Sequence, residues 1–284
     1  MSMTDQGGTP PSGTPPGASP DAVRFEGVGL TYPTARGPVR ALTDITLGVP
    51  RGHFVSIVGP SGCGKSSLLM LTAGLRSCTE GRVLIGATPV SGPQADNGIV
   101  FQNDTLLDWR SALDNVLLQV ELRRLPKARY RQRAADLLHS VGLAGFEHSH
   151  PYELSGGMRQ RIAICRALIH DPHLLLMDEP FGALDALTRD QMMYDLQALW
   201  LEQRKTVLFV THSIPEAIFL SDRVVVMTSR PGQIDKIIDI ALPRPRELHM
   251  TTEPEFNSYV SVIRQVFERR GVLKDEREQN PARP

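Results

Sequence analysis

Apolar residues in this 284-residue chain fall in short strand-like runs, broken by stretches with helical spacing. From Val23, VRFEGVGLTY and RALTDITLGVP read as strands with turns between them. HFVSIVG is an apolar strand that runs straight into a glycine loop, and KSSLLMLTAGL then takes helical spacing to about Gly74. RVLIG and GIVF are further short strands. Residues 104–150 change character: LLDWRSALDNVLLQVELRRL and YRQRAADLLHSVGL read as charged, leucine-rich helices. Strand HLLLMDEP, helix TRDQMMYDLQALWLEQR and strands TVLFVTH and RVVVMT then restore an α/β pattern. The distance from Lys65 to LLLMDE is far too long for a simple βαβ crossover. An inserted α-helical subdomain, at about 104–165, explains it.

The ends differ from the middle. Residues 1–21 are rich in Gly, Pro, Ser and Thr and have almost no large apolar residue, which predicts a disordered tail. The α/β domain is placed at 22–245. Within 246–284, Phe256, Tyr259, Val260, Ile263, Val266 and Phe267 share one face of a short helix, followed by a polar tail.

Lys plus Arg and Asp plus Glu both number 31, and this balance argues against a nucleic-acid partner. The longest apolar runs are strand-length, so neither a membrane-spanning helix nor a signal peptide is expected, and work at a membrane would need a partner to hold the chain there. Cys63, Cys78 and Cys165 lack metal-ligand spacing and read as free thiols; the pairs His148/His150 and His170/His173 lack the companions of a zinc site.

Two glycine-bearing helix starts carry the chemistry. GPSGCGKS, between a strand and a helix, fits the phosphate-loop pattern. Gly59, Pro60, Ser61, Gly62, Cys63 and Gly64 curl backbone N–H groups toward phosphates, and Lys65 adds a point charge. Ser66 offers a hydroxyl to Mg²⁺, with Ser67 following. LLLMDE ends a buried strand in two carboxylates: Asp178 suits the metal ion, and Glu179 suits activation of an attacking water. Alternation along the strand sends these two side chains in different directions. His212 ends another buried strand at the edge where open α/β folds bind ligands, in reach of a γ-phosphate. Gln102 follows GIVF, near the metal or the attacking water. Tyr32 either stacks on a purine or simply packs. The second helix start, LSGGMRQ at 154–160, has bare N–H groups at Ser155, Gly156 and Gly157 but no lysine.

In this order the motifs resemble those of the ATP-binding subunit of an ABC transporter, over roughly Val23 to Arg246. GPSGCGKSS is similar to Walker A, FQ at 101–102 to the Q-loop and LSGGMRQ to the signature. LLLMDEP resembles Walker B, ALD at 183–185 the D-loop, and His212 the switch histidine. The resemblance implies a P-loop NTPase core with an antiparallel β-subdomain and the helical insertion, using ATP and Mg²⁺. It assigns Tyr32 to the adenine. It also implies that two subunits close head to tail, so that Ser155, Gly156 and Gly157 face a γ-phosphate on the partner's Lys65.

Further implied partners are an integral-membrane permease, docked beside the Q-loop, and an external solute-binding protein acting through it. The chain would then sit at the cytoplasmic face of the membrane. Leu106, Leu107 and Trp109 are candidates to line the permease groove; for Trp109 a place in the subdomain core is the competing expectation. DEPFGALDALTR, SRPGQI and LPRPRE resemble the nitrate, sulfonate and taurine import group, with a thiamine-precursor pyrimidine importer as the alternative. A soluble ABC-type ATPase of DNA or ribosome maintenance is the rival from another class, though it usually carries coiled-coil insertions or tandem domains. A scaffold that no longer hydrolyses is opposed by intact Lys65, Asp178, Glu179 and His212. Cys63, within the phosphate loop, is expected to block nucleotide when alkylated.

Overall fold

A computed structural model describes residues 21–228 and 230–272. The expected N-terminal tail, save Asp21, and the polar tail beyond Val272 lie outside the described residues. Asp21 already belongs to the first strand.

Two sheets organise the chain. Strands β1 (Asp21–Tyr32), β2 (Val39–Pro50), β4 (Glu80–Ile85) and β5 (Thr88–Pro89) form an antiparallel sheet in the order β2-β1-β4-β5. The second sheet holds β3 (Phe54–Val58), β6 (Gly98–Val100), β7 (Leu174–Asp178), β8 (Thr206–Thr211), β9 (Arg223–Met227) and β10 (Ile234–Asp239). Its order is β10-β9-β3-β8-β7-β6, parallel except for β10. Helices are α1 (Lys65–Thr72), α2 (Ala112–Leu122), α3 (Lys127–Ser140), α4 (Gly156–Leu168), α5 (Ala186–Gln203), α6 (Ile214–Leu220) and α7 (Pro254–Arg269).

Alternation along the central strands builds two cores. Leu174 and Leu176 of β7, with Leu208 and Val210 of β8, face α1 and the antiparallel sheet, where they meet Phe25, Leu42 and Leu68. Leu175 and Met177, with Val207 and Phe209, face the opposite way into a cluster shared by α2, α4, α5 and α6. Strands covered on both sides must be apolar throughout, and β8 is buried at all six positions. Burial of each such large side chain contributes about 1.5–3 kcal/mol, so the sheet is a rigid base for what stands on its edge.

Two expectations change. The helix expected to include Leu106–Arg110 begins only at Ala112, with Ser111 capping it by accepting from the Asp114 N–H. Asn115, fully buried, holds the preceding loop: its Oδ1 accepts from Leu107 N (2.8 Å) and its Nδ2 donates to carbonyls of Leu107, Arg110 and Ser111 (3.1 Å each). The C-terminal segment also shares the main core. α7 buries Phe256, Ile263, Val266 and Phe267 there. Arg246, only 1% exposed, donates to the carbonyls of Ile218 (2.6 Å), Phe219 (3.0 Å) and Ser221 (2.7 Å) at the end of α6. These carbonyls carry the helix's negative dipole end, which suits a cation that no carboxylate among the described residues pairs with. Even so, burial lowers the Arg246 pKa to about 9. A boundary at 245/246 therefore cuts through packed structure.

Candidate active site

β3 ends at Val58, and the chain curls through Gly59–Gly64 into α1. Gly62 and Gly64 hold left-handed backbone there (φ 75° and 99°), and no side chain caps the helix start. The first N–H groups of α1 are thus presented at the carboxyl edge of the parallel strands. Lys65 is 4% exposed; its Nζ donates to the carbonyls of Gly59 (2.9 Å) and Pro60 (3.2 Å) and lies 3.7 Å from Glu179 Oε1. The loop wraps its own ammonium group.

Asp178, the last residue of β7, accepts from the Ser66 hydroxyl at 2.9 Å. Burial raises its pKa, and the Ser66 hydrogen bond opposes that rise. A carboxylate and a hydroxyl side by side are hard oxygen donors, the kind Mg²⁺ takes in small number when phosphates and water complete its octahedron. The pair fits that ion.

Glu179 leaves the strand at φ 43°, a conformation costing a non-glycine residue about 1 kcal/mol or more. Its N–H donates to Val210 O at 2.8 Å, which fixes the turn. The carboxylate consequently sits between Lys65 and His212, whose Nδ1 donates to Oε2 at 3.0 Å. Glu179 takes this position from the left-handed turn just past the end of β7.

Above these groups opens a cleft of about 570 Å³, lined by Tyr32, Gln102, Glu179, Ser61, Gly62 and residues 64–67. Tyr32 arrives from the antiparallel sheet. Its hydroxyl shares a 3.0 Å hydrogen bond with Ser67, and the Arg76 guanidinium covers one ring face at 4.9 Å. Gly59, Pro60 and Cys63 form the underside of the loop. Cys63 is fully buried, and burial pushes its thiol pKa up, so a thiol modifier reaches it slowly in the folded chain. Arg230, which sequence reading missed, comes from the β9–β10 connection and donates through Nε to Gly62 O (3.2 Å). With Lys65 it is one of two cations lining the cleft. RPG signals only a turn, and no local pattern marks Arg230 as part of the site.

The family model for "ABC transporter" matches residues 42–182. The chain is 46% identical over 234 residues to the nitrate import ATP-binding protein of Synechococcus elongatus, covering 81% of this chain and 85% of that one. It is 40% identical over 253 residues to the aliphatic sulfonates import ATP-binding protein of Bacillus cereus, covering 89% and 98%. The chain belongs to the ABC transporter family. It is an ATP-binding subunit of that family, and an ATPase. The dimeric structure of a bacterial ABC transporter cassette superposes on it with a TM-score of 0.69 at 33% identity, covering 78% of this chain and all of that one.

In this ABC ATPase the second glycine-bearing start lies apart from the cleft: Ser155, Gly156 and Gly157 are absent from its lining. Ser155 is the N-cap of α4, accepting from Met158 N at 3.3 Å. Gly156 is open, whereas a Cβ on Gly157 would lie 2.5 Å from Thr188 Cγ2 on α5. The adjacent Arg159 is turned away: Nε donates to Asp104 (2.9 Å) and Nη1 to Leu154 O (2.8 Å).

A groove of about 560 Å³ lies beyond the Q-loop, lined by Leu75, Phe101, Leu118 and Leu122 with Arg123 and Arg166. Leu106, Leu107 and Trp109 are not in its lining. Trp109 is 75% exposed, which rules out a place in the subdomain core.

Proposed function

We propose that two copies of this ATPase drive import of a small anion, such as a nitrate or a sulfonate like taurine, from the cytoplasmic face of a membrane. The observation carrying the two-copy reading is the separation of Ser155–Gly157 from the chain's own cleft. A signature helix start with presented N–H groups and no lysine of its own suits a phosphate held by a second copy. The anion class rests on the similarity to the nitrate and sulfonate import ATPases.

Within each cleft, the loop N–H groups and Lys65 hold the triphosphate, Tyr32 receives the adenine on its open face, and Ser66 with Asp178 holds Mg²⁺. That ion, when bound, neutralises charge on the β- and γ-phosphates. Glu179 orients and polarises the attacking water, helped by Gln102 at the rim. His212, hydrogen-bonded to Glu179, meets the γ-phosphate. Because that phosphate is touched from both copies, its loss removes a contact that favours the closed pair, and the pair reopens. The groove with Leu75, Phe101 and Leu122 takes a helix of the permease, and solute selection belongs to the permease and its external binding protein.

The test is a pull-down of tagged Glu179→Gln protein from gently solubilised membranes with ATP. A multi-spanning permease among the captured proteins supports the reading, and ATP-dependent uptake of labelled nitrate or taurine by the reconstituted complex identifies the anion. Capture of soluble DNA- or ribosome-associated proteins alone would overturn the importer assignment.

A further inference from the structure

Behind His212 lies a buried carboxylate, paired with a part-exposed arginine, that the roles above leave unused. Glu216 on α6 is 5% exposed. Its Oε2 accepts from the Thr211 hydroxyl at 2.6 Å, and its Oε1 lies 3.5 Å from Arg189 Nε on α5. The same Thr211 oxygen accepts from Ser213 N at 3.0 Å, and Ser213 Oγ accepts from Glu216 N at 3.4 Å. Thr211 and Ser213 flank His212, so Glu216 holds both neighbours of the histidine, Thr211 through its carboxylate and Ser213 through its own backbone N–H. Arg189 in turn donates through Nη2 to the Leu184 carbonyl at 2.9 Å, inside ALD, the turn that leads into α5. His212 itself holds Glu179 at 3.0 Å. One polar chain therefore runs from the turn at Leu184 through Arg189, Glu216 and Thr211/Ser213 to His212 and Glu179.

A carboxylate this deep is costly: burial raises its pKa, while Thr211 and Arg189 oppose the rise. Apolar residues in place of both Glu216 and Arg189 would fill the space without this desolvation, which points to a task other than stability.

We infer that Glu216 and Arg189 are positioning residues that tie the Leu184–Asp185 turn to His212, so that displacement of the turn is transmitted to the histidine and its Glu179 partner. The inference rests on the hydrolytic roles given to Glu179 and His212. Neither residue touches nucleotide; both act on where His212 stands. Because they lie behind the histidine and outside the cleft lining, they govern turnover and leave ground-state binding alone.

The experiment compares steady-state ATP hydrolysis with binding of a fluorescent ATP analogue, using the full chain. Glu216→Gln preserves shape and the Thr211 acceptor but removes the charge opposite Arg189. Arg189→Met removes the other half at a site with a third of its side chain exposed, where folding tolerates the change. Each single variant is expected to lower kcat about tenfold with analogue affinity within about twofold of wild type. The double variant should be no slower than the worse single one, because both changes cut the same link. Arg189→Lys, which keeps charge but not the two-pronged reach, should recover part of the loss. Wild-type kcat in either folded single variant, or additive losses in the double, would overturn the link. The reading of Glu179 as the water-activating residue fails separately, if Glu179→Gln itself turns over ATP at the wild-type rate.

Discussion

The starts of α1 and α4 both carry glycine and both present backbone N–H groups, yet they are finished differently. α1 opens from Gly64 with no side-chain cap, and Lys65, Ser66 and Asp178 converge just behind it. α4 opens from Ser155, whose own hydroxyl accepts one of the first N–H groups, and its neighbouring cation Arg159 is bound to Asp104. The first start is equipped to hold a polyphosphate alone. The second offers a weaker, uncharged surface suited to completing a site whose charge is supplied elsewhere. Anion binding by a helix start is thus graded by what surrounds it rather than by glycine content.

The sharpest test of the contrast removes the charge at the first start. Lys65→Ala should lower ATP turnover at least about a hundredfold, since the exposed Arg230 guanidinium, tied to Gly62 O, is a poor substitute for a buried ammonium at the phosphates. Steady-state hydrolysis by the purified chain is the measurement, and near-normal turnover would take Lys65 out of the site. Glu179→Gln should slow hydrolysis by about 10²–10³ while ATP still binds, so closed pairs accumulate and are visible by light scattering.

The second start can be broken without disturbing packing. A Cβ at Gly156 meets nothing nearer than Arg159 at 3.9 Å, so Gly156→Asp should fold normally and set a bulky carboxylate in the path of an incoming phosphate. Alone it should be nearly inactive, as should Lys65→Ala. Mixed, the two should regain part of the activity, because a pair with one copy of each contains one site with an intact loop and an intact signature. No recovery on mixing would place both motifs on the same nucleotide within one chain. Gly157→Ala is the control, losing stability against Thr188 before it loses phosphate contact.

The same contrast explains what was readable in the sequence. Gly59–Ser67, Asp178, Glu179 and Ser155–Gly157 are contiguous patterns whose chemistry follows from residue type, and the strand periodicity places them on sheet edges. Their supporting residues are not contiguous. Arg230 reaches Gly62 across 168 positions and Arg246 reaches Phe219 across 27; both lie in stretches that carry the resemblance, but nothing local names their partners. The loop at 106–110 has helical spacing, but buried Asn115 satisfies its backbone in another shape. Such partners are chosen by tertiary packing, which local spacing does not encode.

Two smaller effects refine the first start. Arg230→Met should weaken binding of the ATP analogue about five- to tenfold with little change in kcat, the loss expected for one exposed guanidinium near phosphates. Unchanged affinity would restrict Arg230 to bracing Gly62. Thiol labelling of the folded chain should modify half-exposed Cys78 well before buried Cys63, whose reaction should await unfolding.

The smallest effect concerns the cost of holding Asp178 ready for a cation. Its folded-state pKa is raised, chiefly by burial, so the folded chain binds this proton more tightly than the unfolded chain does. Stability from this group is therefore lost as pH rises through the carboxylate range, and the loss is complete at neutral pH. Asp178→Asn keeps an oxygen for the Ser66 hydroxyl and carries no charge to bury. It should raise the melting temperature at pH 7 by about 2 °C, small because water screens a group this open. That gap should close as pH falls below the raised pKa, where the wild-type carboxyl is itself neutral. Mg²⁺ should narrow it from the other side by stabilising only the wild type. A variant no more stable than wild type at pH 7 would mean that the Ser66 hydrogen bond already offsets the burial, leaving the first start no strain for a cation to relieve.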